Sequence, residues 1–247
     1  MPPELEAAIQ DGDLLVRSKA DRVAAHSSGE MLEVSALTGI GLRLLHTQIE
    51  ERVRSLGAEE RLAVVRAYVG ERANRRHKPG RALERPFYRF DVLTDYGAFR
   101  DLQRHRMLTI EWQRLTPHHG YTRPGAVDDA GAAPRFDEAM ERSAALYGEL
   151  AGPFPDQASY AVSLAYKVRF MINLNARAAM HLIELRTTPQ GHPAYRLVGQ
   201  EMHRLIAEEA GHHAVAEMMR FVDHSEEAEL ERLQSERRAE ERRLGRI

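Results

Sequence analysis

Residues 87–106, "FYRFDVLTDYGAFRDLQRHR", decide the fold class. Tyr88, Phe90 and Val92 alternate with Arg89 and Asp91, the period-two pattern of a strand with one face buried and one wet. The pattern stops at Asp95, a residue suited to cap a helix, and Ala98 and Leu102 then share a helical face that carries the chain into Arg104, His105 and Arg106. A strand that passes into a capped helix and ends on a cationic cluster predicts an α+β domain with its chemistry at an element end.

Working outward, the surroundings are mainly helical. Upstream, Leu62, Val65 and Val69 repeat on one helical face, and a basic loop from Asn74 to Arg85 is broken at Pro79-Gly80. Downstream, the Gly-, Ala-, Asp- and Pro-rich stretch from Pro117 to Pro134 predicts a loop. Three long helical patterns follow, at 134–150, 156–185 and 193–221. The tail from Ser225 onward, "SEEAELERLQSERRAEERR", predicts a solvated, charge-laced helix.

Residues 1–56 have a different grammar: a short apolar strand at Met31–Val34, a Gly turn, and a helix marked by Leu42, Leu45, Ile49 and Val53. The predicted organisation is an N-terminal βα appendage (1–56), a main domain (57–224) and a charged helical tail (225–247). Ser18-Lys19-Ala20-Asp21, Ser35-Ala36-Leu37 and the following "TGIGL" resemble the last part of a P-loop GTPase domain. No GxxxxGK[ST] phosphate loop accompanies them, so this segment cannot cradle a triphosphate. A vestigial fragment and an ordinary βα appendage both fit.

Composition narrows the function classes. With 35 Lys+Arg against 37 Asp+Glu the chain has no strong field of either sign, which argues against wholesale nucleic-acid binding. No segment approaches the roughly 18 uninterrupted apolar residues of a membrane span, and the expectation is a soluble, cytoplasmic protein. There is no Cys, hence no thiolate metal site and no cysteine nucleophile. Glu209 and His212 form one E-x-x-H pair, with His203 and His213 nearby, but a diiron bundle needs two such pairs and more inward carboxylates, so no metal is expected. Trp112, the single tryptophan, reads as a core residue rather than a stacking surface.

A second polar cluster lies in "NLNARAAMHLIELR", with Asn175, Arg177, His181 and Arg186; on a helix Arg177 and His181 share a face. Arginines buried there need anionic partners, either an internal salt-bridge lattice with Glu84, Glu111 and Glu184 or a ligand. Arg104-His105-Arg106, the basic loop and strand before it, and Asn175-Ala176-Arg177 followed by Glu184-Leu185-Arg186 resemble the flavin-dependent thymidylate synthases over residues 60 to 222.

That resemblance implies a ThyX-like fold and a homotetramer with sites at subunit interfaces. It implies FAD as cofactor and reductive methylation of dUMP to dTMP, with methylenetetrahydrofolate and NADPH as co-substrates. The missing thiol agrees, because the other class of thymidylate synthase attacks uracil with cysteine. By the same resemblance Arg104, His105 and Arg106 bind FAD, with Arg104 also reaching the nucleotide. Asn175, Ala176, Arg177 and His181 line the flavin, and Arg186 pairs with uracil as the catalytic cation.

Some positions depart from the family. Arg114 stands where the signature RHR-x7-S has its Ser. Trp112, Arg114 and Thr116 stand for the expected Glu, Ser and Arg, Ser159 for a phosphate-binding Arg, and Arg85 for a strand-head His. Arg85, Arg114 and Arg123 could supply phosphate contacts from new positions. The second reading is a catalytically silent or substrate-altered flavin-binding subunit.

Overall fold

The computed structural model describes residues 53–225 together with 236, 237, 240, 241, 243 and 244. Residues 1–52, with the strand, Gly turn and GTPase-like motifs expected there, lie outside the described residues, as does most of the charged tail. The chain divides into two compact units, 1–85 and 86–247.

In the first unit, α1 (Ala58–Val69) starts at Gly57, whose N–H donates to the Glu60 carboxylate at 2.7 Å, and ends at Gly70 with φ +63°. It carries Leu62, Val65 and Val69 as predicted. A 3-10 turn (Arg81–Glu84) forms within the basic loop, and the Ala82 N–H donates to the Tyr68 hydroxyl at 3.0 Å. A Cβ at Gly80 would lie 1.9 Å from that hydroxyl, so any larger residue there would have to displace the Tyr68 ring.

The second unit is built on a three-stranded antiparallel sheet of order β1-β3-β2, where β1 is Phe87–Asp95, β2 is Thr109–Trp112 and β3 is Lys167–Asn175. Ile172 at its centre stands opposite both Phe90 and Ile110. Tyr88, Phe90, Val168, Phe170, Ile172 and Leu174 are buried on one face. The other face carries Arg89, Asp91, Glu111 and Arg169, with a cross-strand ion pair between Arg169 and Asp91.

Helices cover the apolar face. These are α2 (Tyr96–Leu102), α5 (Ala176–Arg186) and α6 (Pro193–Ala207), which contribute Phe99, Leu102, Met180, Leu182, Ile183, Met202 and Ile206 to the core. Phe99 meets Phe170 edge-on at 4.8 Å between ring centroids, an arrangement that satisfies the aromatic quadrupoles. Between β2 and β3 lie α3 (Gly125–Asp129) and α4 (Ala133–Ala151), the latter packing on a smaller cluster of Met140, Val162 and Tyr166. After α6 the chain breaks at Gly211, φ +65°, before the short α7 (His213–Met218). The architecture is α+β, as the sequence predicts.

Five expectations are corrected. The stretch from Pro117 to Pro134 is not all loop: it holds a 3-10 turn (Pro117–His119), α3 and the start of α4. Residues 156–185 are not one helix: they form a 3-10 turn (Ala158–Ala161), β3 and α5. The helix expected over 193–221 ends at Ala207, because Gly211 turns the chain. The helix capped by Asp95 stops at Leu102, so Arg104–Arg106 stand in the turn beyond it. Trp112 is 56% exposed, with its ring 5.5 Å from that of Phe99 between centroids, because β2 is an edge strand of the described sheet.

Candidate functional site

Two strand–helix units deliver the site. β1 runs straight into α2, with the Asp95 carboxylate accepting from the Ala98 N–H at 2.8 Å, and β3 runs straight into α5, with the Asn175 amide oxygen accepting from the Ala178 N–H at 2.8 Å. Each cap satisfies a first-turn donor that a helix leaves open, so neither junction needs a loop. The C-terminal ends of α2 and α5 meet, and between them lies a cleft of about 350 Å³. Arg104, His105, Arg106, Met107 and Leu108 line one wall; Ala178, His181, Leu182, Leu185 and Arg186 line the other.

Arg186 is the most constrained group in the cleft. Its Nε donates to His105 Nε2 at 2.9 Å, one Nη donates to the Asp101 backbone carbonyl, and the other stands 3.4 Å from the Asp101 carboxylate. The guanidinium also lies over the Tyr195 ring at 5.2 Å, a cation–π placement. Arg104 reaches the same Asp101 oxygen at 3.5 Å, with its side chain 73% exposed.

A guanidinium has donors only, so the bond from Arg186 requires a lone pair on His105 Nε2 and puts the imidazole proton on Nδ1. The same environment keeps His105 neutral. Burial, then the charge of Arg186, then His181, whose ring centroid is 5.8 Å away, push its pKa down to about 4. The cleft thus holds three guanidiniums and a neutral imidazole beside the accessible apolar side chains of Met107 and Leu185, a surface for an anion joined to a flat apolar group.

Other predicted residues stand elsewhere. Asn175, Ala176 and Arg177 lie at the start of α5 and are not among those lining this cleft; the Asn175 side chain caps the helix and Ala176 is fully buried. Arg114 donates to the Pro155 carbonyl at 2.8 Å and pairs with Asp156 at 2.7 Å. Arg123 pairs with Asp137 and Asp128, at 2.7 and 2.8 Å. Ser159 donates to the Leu115 carbonyl at 3.4 Å.

The histidines of the E-x-x-H region have protein partners. His212 bonds the Tyr88 hydroxyl at 2.9 Å, and His203 bonds the Ala216 carbonyl at 3.1 Å and His224 at 3.2 Å. Among the described residues no group of three or more His, Asp or Glu stands together as a metal site, and no helix is long and apolar enough to cross a membrane. Asp101 and Tyr195 are the site residues that sequence reasoning missed. The available signal was the i, i+3 spacing of Asp101 and Arg104 at the end of α2.

Residues 43–212 match the sequence pattern of the thymidylate synthase complementing protein family. The chain belongs to that family. It is 35% identical over 235 residues to a UPF0159 protein of Chlamydia muridarum, covering 95% of this chain and 42% of that protein. It is 40% identical over 195 residues to a UPF0159 protein of Chlamydia pneumoniae, covering 78% and 36%. A UPF0159 protein of Thermoplasma acidophilum is 34% identical over 196 residues, with 78% and 39% covered. The chain spans about two fifths of the length of these relatives.

Proposed function

We propose that this chain acts as a flavin-dependent thymidylate synthase, methylating dUMP to dTMP with methylenetetrahydrofolate as carbon donor and NADPH as reductant, in a cytoplasmic homo-oligomer with the ThyX-like fold. The observation that carries the reading is the joining of Arg104–Arg106 to Arg186 in one cleft, through a direct bond between residues 81 positions apart in the chain. The donor set suits FAD: Arg104 and Arg106 offer forked donors to phosphate, and Met107, His181 and Leu185 offer a surface to a flat ring. Bound FAD would carry the reducing equivalents of NADPH to the transferred carbon.

The chain's own part is electrostatic. Arg186, held and largely dehydrated with its side chain 13% exposed, is set to stabilise negative charge developing on a pyrimidine as its C5 becomes nucleophilic. Because His105 is neutral, it adds no further positive charge beside Arg186 and Arg104 and can offer its Nδ1–H as a donor. Arg177 would complete the flavin contacts from the start of α5, which Asn175 caps and Ala176 anchors in the core.

A second reading, a flavin-binding subunit that is silent or altered in substrate, draws support from one feature. Arg114, where the family signature has Ser, is engaged by Asp156 and Pro155, and Ser159 stands where a phosphate-binding Arg is expected. An anaerobic visible titration of FAD-loaded protein with dUMP and then NADPH separates the two. A spectral shift followed by bleaching supports the synthase; bound flavin that ignores both supports the silent subunit. Arg186→Ala should abolish methyl transfer while FAD stays bound, and loss of FAD instead would remove Arg186 from the nucleotide side.

A further inference from the structure

Asp101 occupies the last turn of α2, where the exposed carbonyls make the helix end negative and a carboxylate is electrostatically disfavoured. A residue that breaks a local rule needs a compensating interaction. The compensation here is two cations: one carboxylate oxygen stands 3.4 Å from Arg186 and 3.5 Å from Arg104, while the backbone carbonyl of the same residue accepts from Arg186. Arg186 comes from the far end of α5, so Asp101 joins the two helix ends that form the cleft. Held there by Asp101 and by the Tyr195 ring, the Arg186 guanidinium has its Nε–H aimed at His105 Nε2.

We infer that Asp101 is a positioning residue of this site, fixing the guanidiniums of Arg186 and Arg104 and, through Arg186, fixing which nitrogen of His105 carries its proton. The positioning is a property of the folded chain; its value to catalysis rests on the proposed synthase reading. An Asn at 101 keeps the shape and the backbone carbonyl but removes the charge that both guanidiniums share. A Glu keeps the charge and can follow the arginines at a modest change in reach.

The test is nitrogen-15 NMR of the imidazoles in the full chain, comparing the parent with Asp101→Asn and Asp101→Glu, each checked for fold by circular dichroism. The parent should show His105 protonated on Nδ1 alone. Asp101→Asn should give a mixture of tautomers, and Asp101→Glu should restore the parent pattern. A His105 spectrum unchanged in Asp101→Asn overturns the inference.

The same proteins are titrated with dUMP. Asp101→Asn should weaken dUMP binding roughly tenfold, as expected when an oriented charge-assisted contact is loosened. Tighter dUMP binding in Asp101→Asn would mean that the carboxylate competes with the ligand's anion instead of positioning its cations, which also overturns it. Because the NMR readout needs neither flavin nor nucleotide, absence of FAD binding would sink the synthase reading and leave the Asp101 result standing.

Discussion

β1–α2 and β3–α5 are built alike and behave differently. Each is a nine-residue strand that enters a helix without a loop, and each helix is capped by an Asx side chain 2.8 Å from the N–H three residues on. β1, however, is an edge strand with one neighbour, whereas β3 is paired on both sides. β1–α2 delivers the Arg-His-Arg turn and β3–α5 delivers Arg186. Alike in local construction, the two should carry unequal energetic weight because of their places in the sheet.

The largest effect should come from the centre. Ile172 is fully buried between Phe90 and Ile110, and Ile172→Ala should cost about 2–5 kcal/mol in a urea titration. Val92→Ala, half-buried on the edge strand, should cost about 1 kcal/mol. Equal losses at the two positions would mean that the edge and central strands carry the same weight. The caps come next: Asp95→Ala and Asn175→Ala should each lose about 1 kcal/mol, and a glycine at either place only a few tenths. If Asn175→Ala abolished flavin binding at unchanged stability, its amide would serve a ligand rather than α5.

The smallest effect is confined to a pH window. His105 is less basic folded than unfolded, so the unfolded chain binds the extra proton between the two values. Its contribution is whole above pH 6.5, falls as pH drops from 6.5 toward about 4, and is constant below that. His105→Gln should reduce the slope of urea midpoint against pH across this window. Burial also lowers the pKa of His224, which leaves a residual slope in the same direction.

The same comparison explains what the sequence made legible. β1 declared itself because Arg89 and Asp91 fill its open-face positions, making the alternation audible. β3 also alternates, with Val168, Phe170, Ile172 and Leu174 inward, but Met171 sits on the open face between Phe170 and Ile172. The apolar run that results fits a helical stripe as well as a strand, and Asn173 and Asn175 then pass for polar helix positions. Within the site, the pairing of Arg104–Arg106 with Arg186 came from family resemblance, because nothing in linear spacing reports which two helix ends meet. Asp101 was missed for a related reason: beside Arg104 it reads as an ordinary surface i, i+3 pair until α5 brings Arg186 against it.

The loopless junctions also govern where this domain can change length. A residue inserted between Asp95 and Tyr96, or between Asn175 and Ala176, would turn the following helix by about 100° and advance it by about 1.5 Å. That would swing the Arg-His-Arg turn or Arg186 out of the cleft. The connection from Pro117 to Ala132, which carries a 3-10 turn and the short α3, supplies none of the residues that line the cleft. Insertions and deletions among functional relatives should therefore collect between β2 and α4, and the two strand–helix junctions should keep their length residue for residue.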